Sequence, residues 1–362
     1  KGRTRKIGHR NQNQDWGFGA IQSAFGDEQA RDNPMQLRRL SLLPLPHQEE
    51  KMMRKFVALL MFCLLSFAVI GAACATDTGK VKLSVLCDDK ASSDKYLSEH
   101  GVSILVELPN GHRWLFDTGS TDIYLQNAKI MGINLDNLAG IAISHAHEDH
   151  TGGLVFYPRL KGKPPIYGHP YVWNKEYDIA KGKPVRVVGM PDLARKFAWP
   201  EFKPINNVTK LDDNLYFFTD VPREPGSYVP VQGKFLNEDS TGACPIIDDA
   251  TLAIKTTKGI VAVFGCGHAG YTNILKAIEK EFPKEKILAV VGGLHLKSAD
   301  DKVLEQSAAY TDKVKAKDFV FCGSHCTGKN AIDYFKKKYG DKVVKNAGSG
   351  AVFEFPATVQ AK

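Results

Sequence analysis

The chain downstream of about residue 76 predicts an α/β fold of two mixed β-sheets with helices on their outer faces. Three observations lead there. Short apolar runs separated by turn signals fill the first part, and from residue 251 strand and helix patterns alternate. Four of the apolar strands then end at or just beyond a histidine. A sheet with one buried face needs a partner layer, so this order of elements builds sheets packed together with helices outside.

The elements follow in order. "KVKLSVLCD" (80–88), "VSILVEL" (102–108) and "RWLFDTG" (113–119) read as strands, and Asn110-Gly111 between the last two is a hairpin turn. "LAGIAISH" (138–145) is a buried strand that runs into a histidine cluster. The middle, rich in Pro, Lys and Asn, reads as loops with short strands. "TLAIKTTKGIVAVFGCGH" (251–268) is a hairpin around Lys258-Gly259. Ile274, Leu275, Ile278 and Phe282 have helical spacing across 271–282. A strand (286–295), a helix opened by acidic residues (299–316) and a last strand (318–325) complete the series. No internal repeat, low-complexity tract or linker divides 76–362.

The N-terminal fifth reads differently. "MMRKFVALLMFCLLSFAVIGAACA" (52–75) joins a short basic start to an uncharged apolar run ending in Ala73-Cys74-Ala75. That is the pattern of a secretory signal peptide cleaved before Thr76. An uncleaved membrane anchor over 56–73 is the alternative. Residues 1–51 are polar and non-periodic, and "QEEK" before Met52 can be encoded by a purine-rich ribosome-binding sequence. They are expected to be untranslated upstream sequence, or else a disordered extension. The catalytic domain is then 76–362, and the localisation exported, in a bacterial periplasm.

Charge and cysteine content narrow the class. Of 48 Lys/Arg and 40 Asp/Glu, 11 and 6 lie in residues 1–75, so 37 against 34 remain and the balance of the mature chain is only +3. That excludes a nucleic-acid footprint and leaves a small molecule as the expected partner. Five cysteines remain (Cys87, Cys244, Cys266, Cys322 and Cys326), too few and odd in number for a disulfide framework.

The chemistry lies at the strand ends. "IAISHAHEDH", "VAVFGCGH", "VVGGLH" and "FVFCGSH" each deliver histidine where the apolar strand stops. Strand ends converge at sites in mixed sheets, and gathered imidazoles and carboxylates are the usual ligands of zinc and similar ions. His145 and His147, two apart in extended chain, point the same way and can grip one ion. Asp149 and His150 lie past the bend and can reach a second, with Gly152-Gly153 letting the chain turn tightly into the next helix. A metal-free acid–base centre needs one or two such groups, so this density points to a metal site.

His145-Ala-His147-Glu-Asp149-His150, with "FDTG" (116–119) upstream, resembles the signature of the metallo-β-lactamase superfamily. "LFDTGSTDIYLQNA", "SHAHEDHTGGL", "GHP", "VPRE", "DDATLAIKTTKGIVAVFGCGHAGYTNIL", "VVGGLHL" and "SHCTG" extend the resemblance to one branch. That branch is the 7,8-dihydropterin-6-yl-methyl-4-(β-D-ribofuranosyl)aminobenzene 5'-phosphate synthases and their metal-dependent hydrolase relatives. The resemblance implies an αββα sandwich of two mixed sheets with helices on the outer faces. It implies that His145 and His147 hold a first ion, that Asp149 and His150 hold a second, and that Asp117 orients the metal-site loop. His268 and His325 are the expected ligands from later strands. The bridging aspartate of the superfamily has no counterpart in "GCGHAG", nor is there a separate histidine before it, and Cys266, Asp248 or Asp249 could fill one vacancy. His295 is expected either to ligate or to assist catalysis. "FDTGSTDIYL" also looks like an aspartic-protease loop, but no second such aspartate follows an apolar strand.

The expected activity is a hydrolase in which one or two divalent ions, zinc first and iron or manganese as alternatives, activate water against an ester, phosphoester or related substrate. Asp149 would hold the nucleophile while ligating. The transferase reaction of the synthase branch is the alternative, disfavoured by export, and a non-catalytic metal-binding sensor is the third reading. His169 in "GHPYVW" and Arg223 in "VPREPGSY" are the candidate substrate-binding residues. The leader is directly testable: mass spectrometry of the native protein should find Thr76 as its N-terminus, and peptides from 1–51 would contradict the reading.

Overall fold

The computed structural model describes residues 78–180, 183–231, 235–237 and 242–358. The expected signal peptide and the preceding extension lie outside them. Among the described residues no helix is long and apolar enough to cross a membrane.

In chain order the strands and helices are β1 (Thr78–Cys87), β2 (Ser103–Glu107), β3 (Arg113–Phe116), α1 (Ile123–Ile130), β4 (Gly140–Ala142) and α2 (Glu148–Thr151). There follow β5 (Ile166–Gly168), β6 (Tyr177–Ala180), β7 (Lys183–Val187), α3 (Asp192–Ala198), β8 (Phe202–Pro204), β9 (Val208–Asp212), β10 (Leu215–Phe218) and β11 (Phe235–Leu236). The last third holds β12 (Thr251–Thr256), β13 (Gly259–Phe264), α4 (Tyr271–Glu281), β14 (Ile287–Gly293), α5 (Asp301–Val314), β15 (Lys315–Ser324), α6 (Lys329–Tyr339) and β16 (Val352–Thr358). One sheet runs β16-β1-β2-β3-β4-β5-β8, a second β15-β14-β13-β12-β10-β9, and β11-β6-β7 form a small third.

Strand alternation fixes the layers. Val81, Leu83, Val85, Ile104, Val106 and Phe116 of the first sheet meet Leu215, Phe217, Leu252, Ile254, Val261 and Val263 of the second in one buried cluster. The opposite face of the second sheet (Ala253, Ala262, Phe264, Val290) packs on Ile274 and Ile278 of α4, Leu304 of α5 and Phe335 of α6. The opposite face of the first (Leu105, Leu115, Ile141) packs on Tyr124 of α1 and Ala194 of α3. The result is the expected αββα sandwich. Every residue of β13 is buried, as a central strand covered on both faces requires.

Several boundaries differ from the sequence reading, each for a local reason. β3 stops at Phe116 because Asp117 takes a left-handed backbone (φ 57°), so "DTG" is a turn. The strand expected over 138–145 pairs only through Gly140–Ala142, although Ile143 to Ala146 stay buried. The helix of 299–316 ends at Val314, where the chain passes directly into β15. The sequence reading does not anticipate helix α6, whose Ala331 and Phe335 are buried one turn apart, or strand β16. β16 pairs antiparallel with β1 and so closes the sheet edge.

Gly152 and Gly153 do not make the expected tight turn; they continue α2 as a 3₁₀ segment over Gly152–Arg159. Their lack of a side chain serves close approach instead. A Cβ on Gly153 would lie 2.1 Å from the Thr118 carbonyl oxygen, and one on Gly152 2.3 Å from that of Ser120. The histidine segment is thus pressed against the Asp117 turn. Gly153→Ala should lower stability by about 1–3 kcal/mol through this overpacking. An unchanged denaturant midpoint would contradict the contact.

Candidate metal centre

β3 and β4 run parallel, with Phe116 beside Ala142, so the turn at Asp117 and the chain after Ala142 emerge side by side. Asp117 donates its N–H to the Ala142 carbonyl (2.9 Å). Its fully buried side chain then collects three donors. Oδ1 accepts the Ser144 N–H (2.7 Å), and Oδ2 accepts the Ser144 hydroxyl (2.6 Å) and His150 Nδ1 (2.7 Å). Because the Ser144 hydroxyl is spent on Asp117, its oxygen accepts from His145 Nδ1 (2.9 Å). A carboxylate only accepts, so the facing ring nitrogen carries the proton and the other keeps its lone pair.

The same rule extends around the site. His325 Nδ1 meets Asp89 Oδ1 at 2.7 Å. His147 Nε2 lies 3.0 Å from Glu176 Oε2, a charge contact off hydrogen-bond alignment. In each ring one nitrogen faces an acceptor, and the other is left for the interior.

Those remaining nitrogens converge. His145 Nε2 and His268 Nε2 are 3.2 Å apart, and ligand atoms of His145, His147 and His268 all lie within 4.8 Å of one another. Two nitrogens on one tetrahedral zinc are separated by about 3.4 Å, so the spacing fits a shared ion. Asp149 Oδ2 lies 3.3 Å from His325 Nε2 and 3.6 Å from His150 Nε2, and Cys266 Sγ lies 3.3 Å from His150 Nε2. This second group stands beside the first, with the His145 and His150 rings 4.2 Å apart. All these side chains are buried or nearly so. Strands β3 and β4 of one sheet and β13, β14 and β15 of the other supply them at their carboxyl ends.

Electrostatics favour the ligand form at His145, His268 and Asp149. At His325, by contrast, burial is outweighed by nearby carboxylates, which hold its pKa well above the usual histidine value, and burial holds the Cys266 thiol well above its own. Burial, reinforced by neighbouring imidazoles, holds His145 and His268 well below the usual histidine pKa, hence neutral. For Asp149, burial opposes ionisation, but His150 and His325 outweigh it and keep the carboxyl well below its ordinary range. Burial opposes the charged form of His147 too, but the Glu176, Asp149 and Asp248 carboxylates together overcome it and raise the pKa. Burial, with Glu176 nearby, pushes Asp248 up to about 8, and burial pushes Asp249 to about 6.

All six expected metal residues therefore meet: His145, His147 and His268 in one group, Asp149, His150 and His325 in the other. Cys266 stands between them, its Sγ within reach of His145 and His150 on one side and of His268 and His295 on the other. Asp248 and Asp249 instead hold backbone, accepting from the Ala146 N–H (2.7 Å) and the Ala269 N–H (2.8 Å). His295, at the end of β14, has its ring 4.7 Å from that of His268.

Two expected residues are not brought to the cavity. His169 caps the short turn Pro170–Trp173 by accepting the Tyr171 N–H, with Nε2 3.2 Å from Asp220. Arg223 donates to the Ile246 carbonyl (2.7 Å). Both are occupied within the scaffold and neither lines the cavity over the metal groups. That cavity, about 310 Å³, is lined by His100, His147, Asp149, Cys266, His295, Lys297 and His325, with Arg186, Val231 and Phe235 on the side of the small sheet. Glu176, Asp89 and His100 went unnoticed in the sequence, because each sits in a polar loop with no spacing to mark it.

Comparison with known proteins agrees with this geometry. Residues 99–271 match the family described as the Metallo-beta-lactamase superfamily. The chain is 28% identical over 282 residues to the 7,8-dihydropterin-6-methyl-4-(beta-D-ribofuranosyl)-aminobenzene-5'-phosphate synthase of Methanocaldococcus jannaschii, covering 72% of this chain and 92% of the relative. It is 27% identical to the uncharacterised protein MJ0448 of the same organism, over 69% of this chain and 92% of that one. Among solved structures, Tm1679, a metal-dependent hydrolase of the beta-lactamase superfamily, aligns with a TM-score of 0.64 and 29% identity, over 75% of this chain and 98% of that one.

Zinc titration of the purified protein should find two binding equivalents. His268→Ala should weaken one and His325→Ala the other, while Asp117→Asn should weaken both by about 10–100-fold. Unchanged stoichiometry and affinity in His268→Ala would remove the first site.

Proposed function

Since this chain belongs to the metallo-β-lactamase superfamily, we propose that it is a metal-dependent hydrolase acting on a small ester or phosphoester. The observation that carries the reading is the pair of adjacent ligand groups opening into one small cavity. Divalent ions held there would polarise the scissile group and lower the pKa of water. The protein's own residues do the positioning. Asp149 turns Oδ2 toward both His150 and His325, so it sits at the junction of the second group and the cavity. His100 closes the rim, with Nδ1 3.1 Å from Asp89 and Nε2 3.3 Å from Asp149. Phe235 packs edge-on against His147 (4.8 Å) and, with Val231 and Val188, gives the cavity an apolar patch beside Arg186 and Asp178.

A second reading is favoured by one finding, the likeness to the Methanocaldococcus synthase along 92% of that protein. In that case the same ions would bind a phosphorylated substrate and stabilise charge during bond formation.

Turnover separates them. Zinc-loaded protein should cleave a chromogenic phosphodiester or ester, with a rate that follows a single ionisation to a plateau above roughly pH 7. Chelator should abolish it, and Asp149→Asn should lower kcat by about 100-fold or more. Activity that needs both a dihydropterin and an aminobenzene riboside, with none on simple esters, would favour the synthase.

A further inference from the structure

Besides the histidines of the metal groups, the cavity wall carries Arg186, His100 and Lys297, and they are not equivalent. Arg186 is bound to Glu148. His100 is engaged by Asp89 and Asp149. Lys297 is exposed and, among the described residues, makes no ion pair. Its place is not accidental. Leu296 is fully buried, so His295 and Lys297 on either side of it both turn toward the cavity. The Lys297 backbone is also wedged against the turn that follows His325: a Cβ on Gly328 (φ +83°) would lie 2.5 Å from the Lys297 Cα. The backbone that carries this side chain is thereby held between two strand ends that deliver histidine to the metal groups.

The carboxylates of the same wall do not neutralise it. Glu148 is taken by Arg186, Asp149 faces histidines, and Asp178 Oδ1 accepts the Ile179 N–H of its own strand (2.9 Å). An uncommitted lysine beside cation-binding groups has a chemical meaning. A neutral ester offers such an ammonium only an uncharged carbonyl oxygen, whereas an anionic group satisfies it through stronger, charge-assisted hydrogen bonds. At about 310 Å³ the cavity is at the small end for ligand sites, so an anion touching Lys297 belongs to the reacting group or adjoins it.

We propose that Lys297 is the anion anchor of this cavity, holding a non-bridging phosphoryl oxygen, and that the substrate is therefore a phosphoester. Assigning that phosphoryl group to a substrate rests on the hydrolase reading; the anchor itself is tested without turnover. Calorimetric titration of the zinc-loaded full chain with inorganic phosphate should show binding that Lys297→Gln weakens about tenfold, the loss of one charge-assisted hydrogen bond, with zinc content unchanged. Lys297→Arg, which keeps the charge, should recover most of the affinity. Lys329→Gln, next in the chain to Gly328 but paired with Asp333, should leave it unaltered. With bis(p-nitrophenyl) phosphate, Lys297→Gln should raise KM more than it lowers kcat. Equal phosphate affinity in wild type and Lys297→Gln, or no phosphate binding by the zinc-loaded wild type, would overturn the anchor. Phosphate binding that depends on Lys297, with no hydrolysis by the wild type, would uphold the anchor and sink the hydrolase reading.

Discussion

The Asp117 carboxylate is the interaction on which the site depends. It is fully buried at the end of β3, in a left-handed backbone that few non-glycine residues adopt. From there it satisfies the Ser144 N–H, the Ser144 hydroxyl and His150 Nδ1, and through Ser144 it also sets His145. One side chain thus decides which nitrogen of two imidazoles is free, and those imidazoles belong to the two different ligand groups. Removing the carboxylate would strand buried donors, each costing about 1–3 kcal/mol, so orientation and stability are coupled here. The strain at Asp117 is sustained by Gly152 and Gly153, whose absent side chains let the histidine segment press on the same turn.

Around this anchor the protein gathers like charges that would repel if ionised together. The solution is a division of roles. His145 and His268 are neutral because they are buried among other imidazoles, while Asp149 stays ionised because it faces His150 and His325. Asp89 and Glu176 play for His325 and His147 the part that Asp117 plays for His150. At His145, His268 and Asp149 the arrangement offers lone pairs and negative charge inward, which is what a divalent cation needs.

Much of this was legible in the sequence, but unevenly. The four histidine-bearing strand ends and the alternating patterns were enough for the layers and for the six residues that meet, because apolar period and strand-end chemistry are both local signals. Cys266 stayed one of three alternatives: Asp248 and Asp249 each commit one oxygen to a backbone amide and keep the other buried without a hydrogen bond. Glu176, Asp89 and His100 could not be found, since their partners lie 29, 236 and 49 residues away and no local pattern encodes that pairing. His169 and Arg223 lie away from the cavity over the metal groups. A histidine before proline and an arginine in a loop looked available, but the fold had already engaged them in a cap and a carbonyl contact.

The central claim is that these side chains form two adjacent ion sites set by one buried carboxylate. Anomalous diffraction at the zinc edge from crystals of the zinc-loaded protein tests it most directly. The account predicts two peaks, one bounded by His145, His147 and His268 and one by Asp149, His150, His325 and Cys266, with ligand distances of about 2.0–2.3 Å. A zinc-loaded crystal with no peak among these residues, or with its zinc bound elsewhere on the chain, would contradict it.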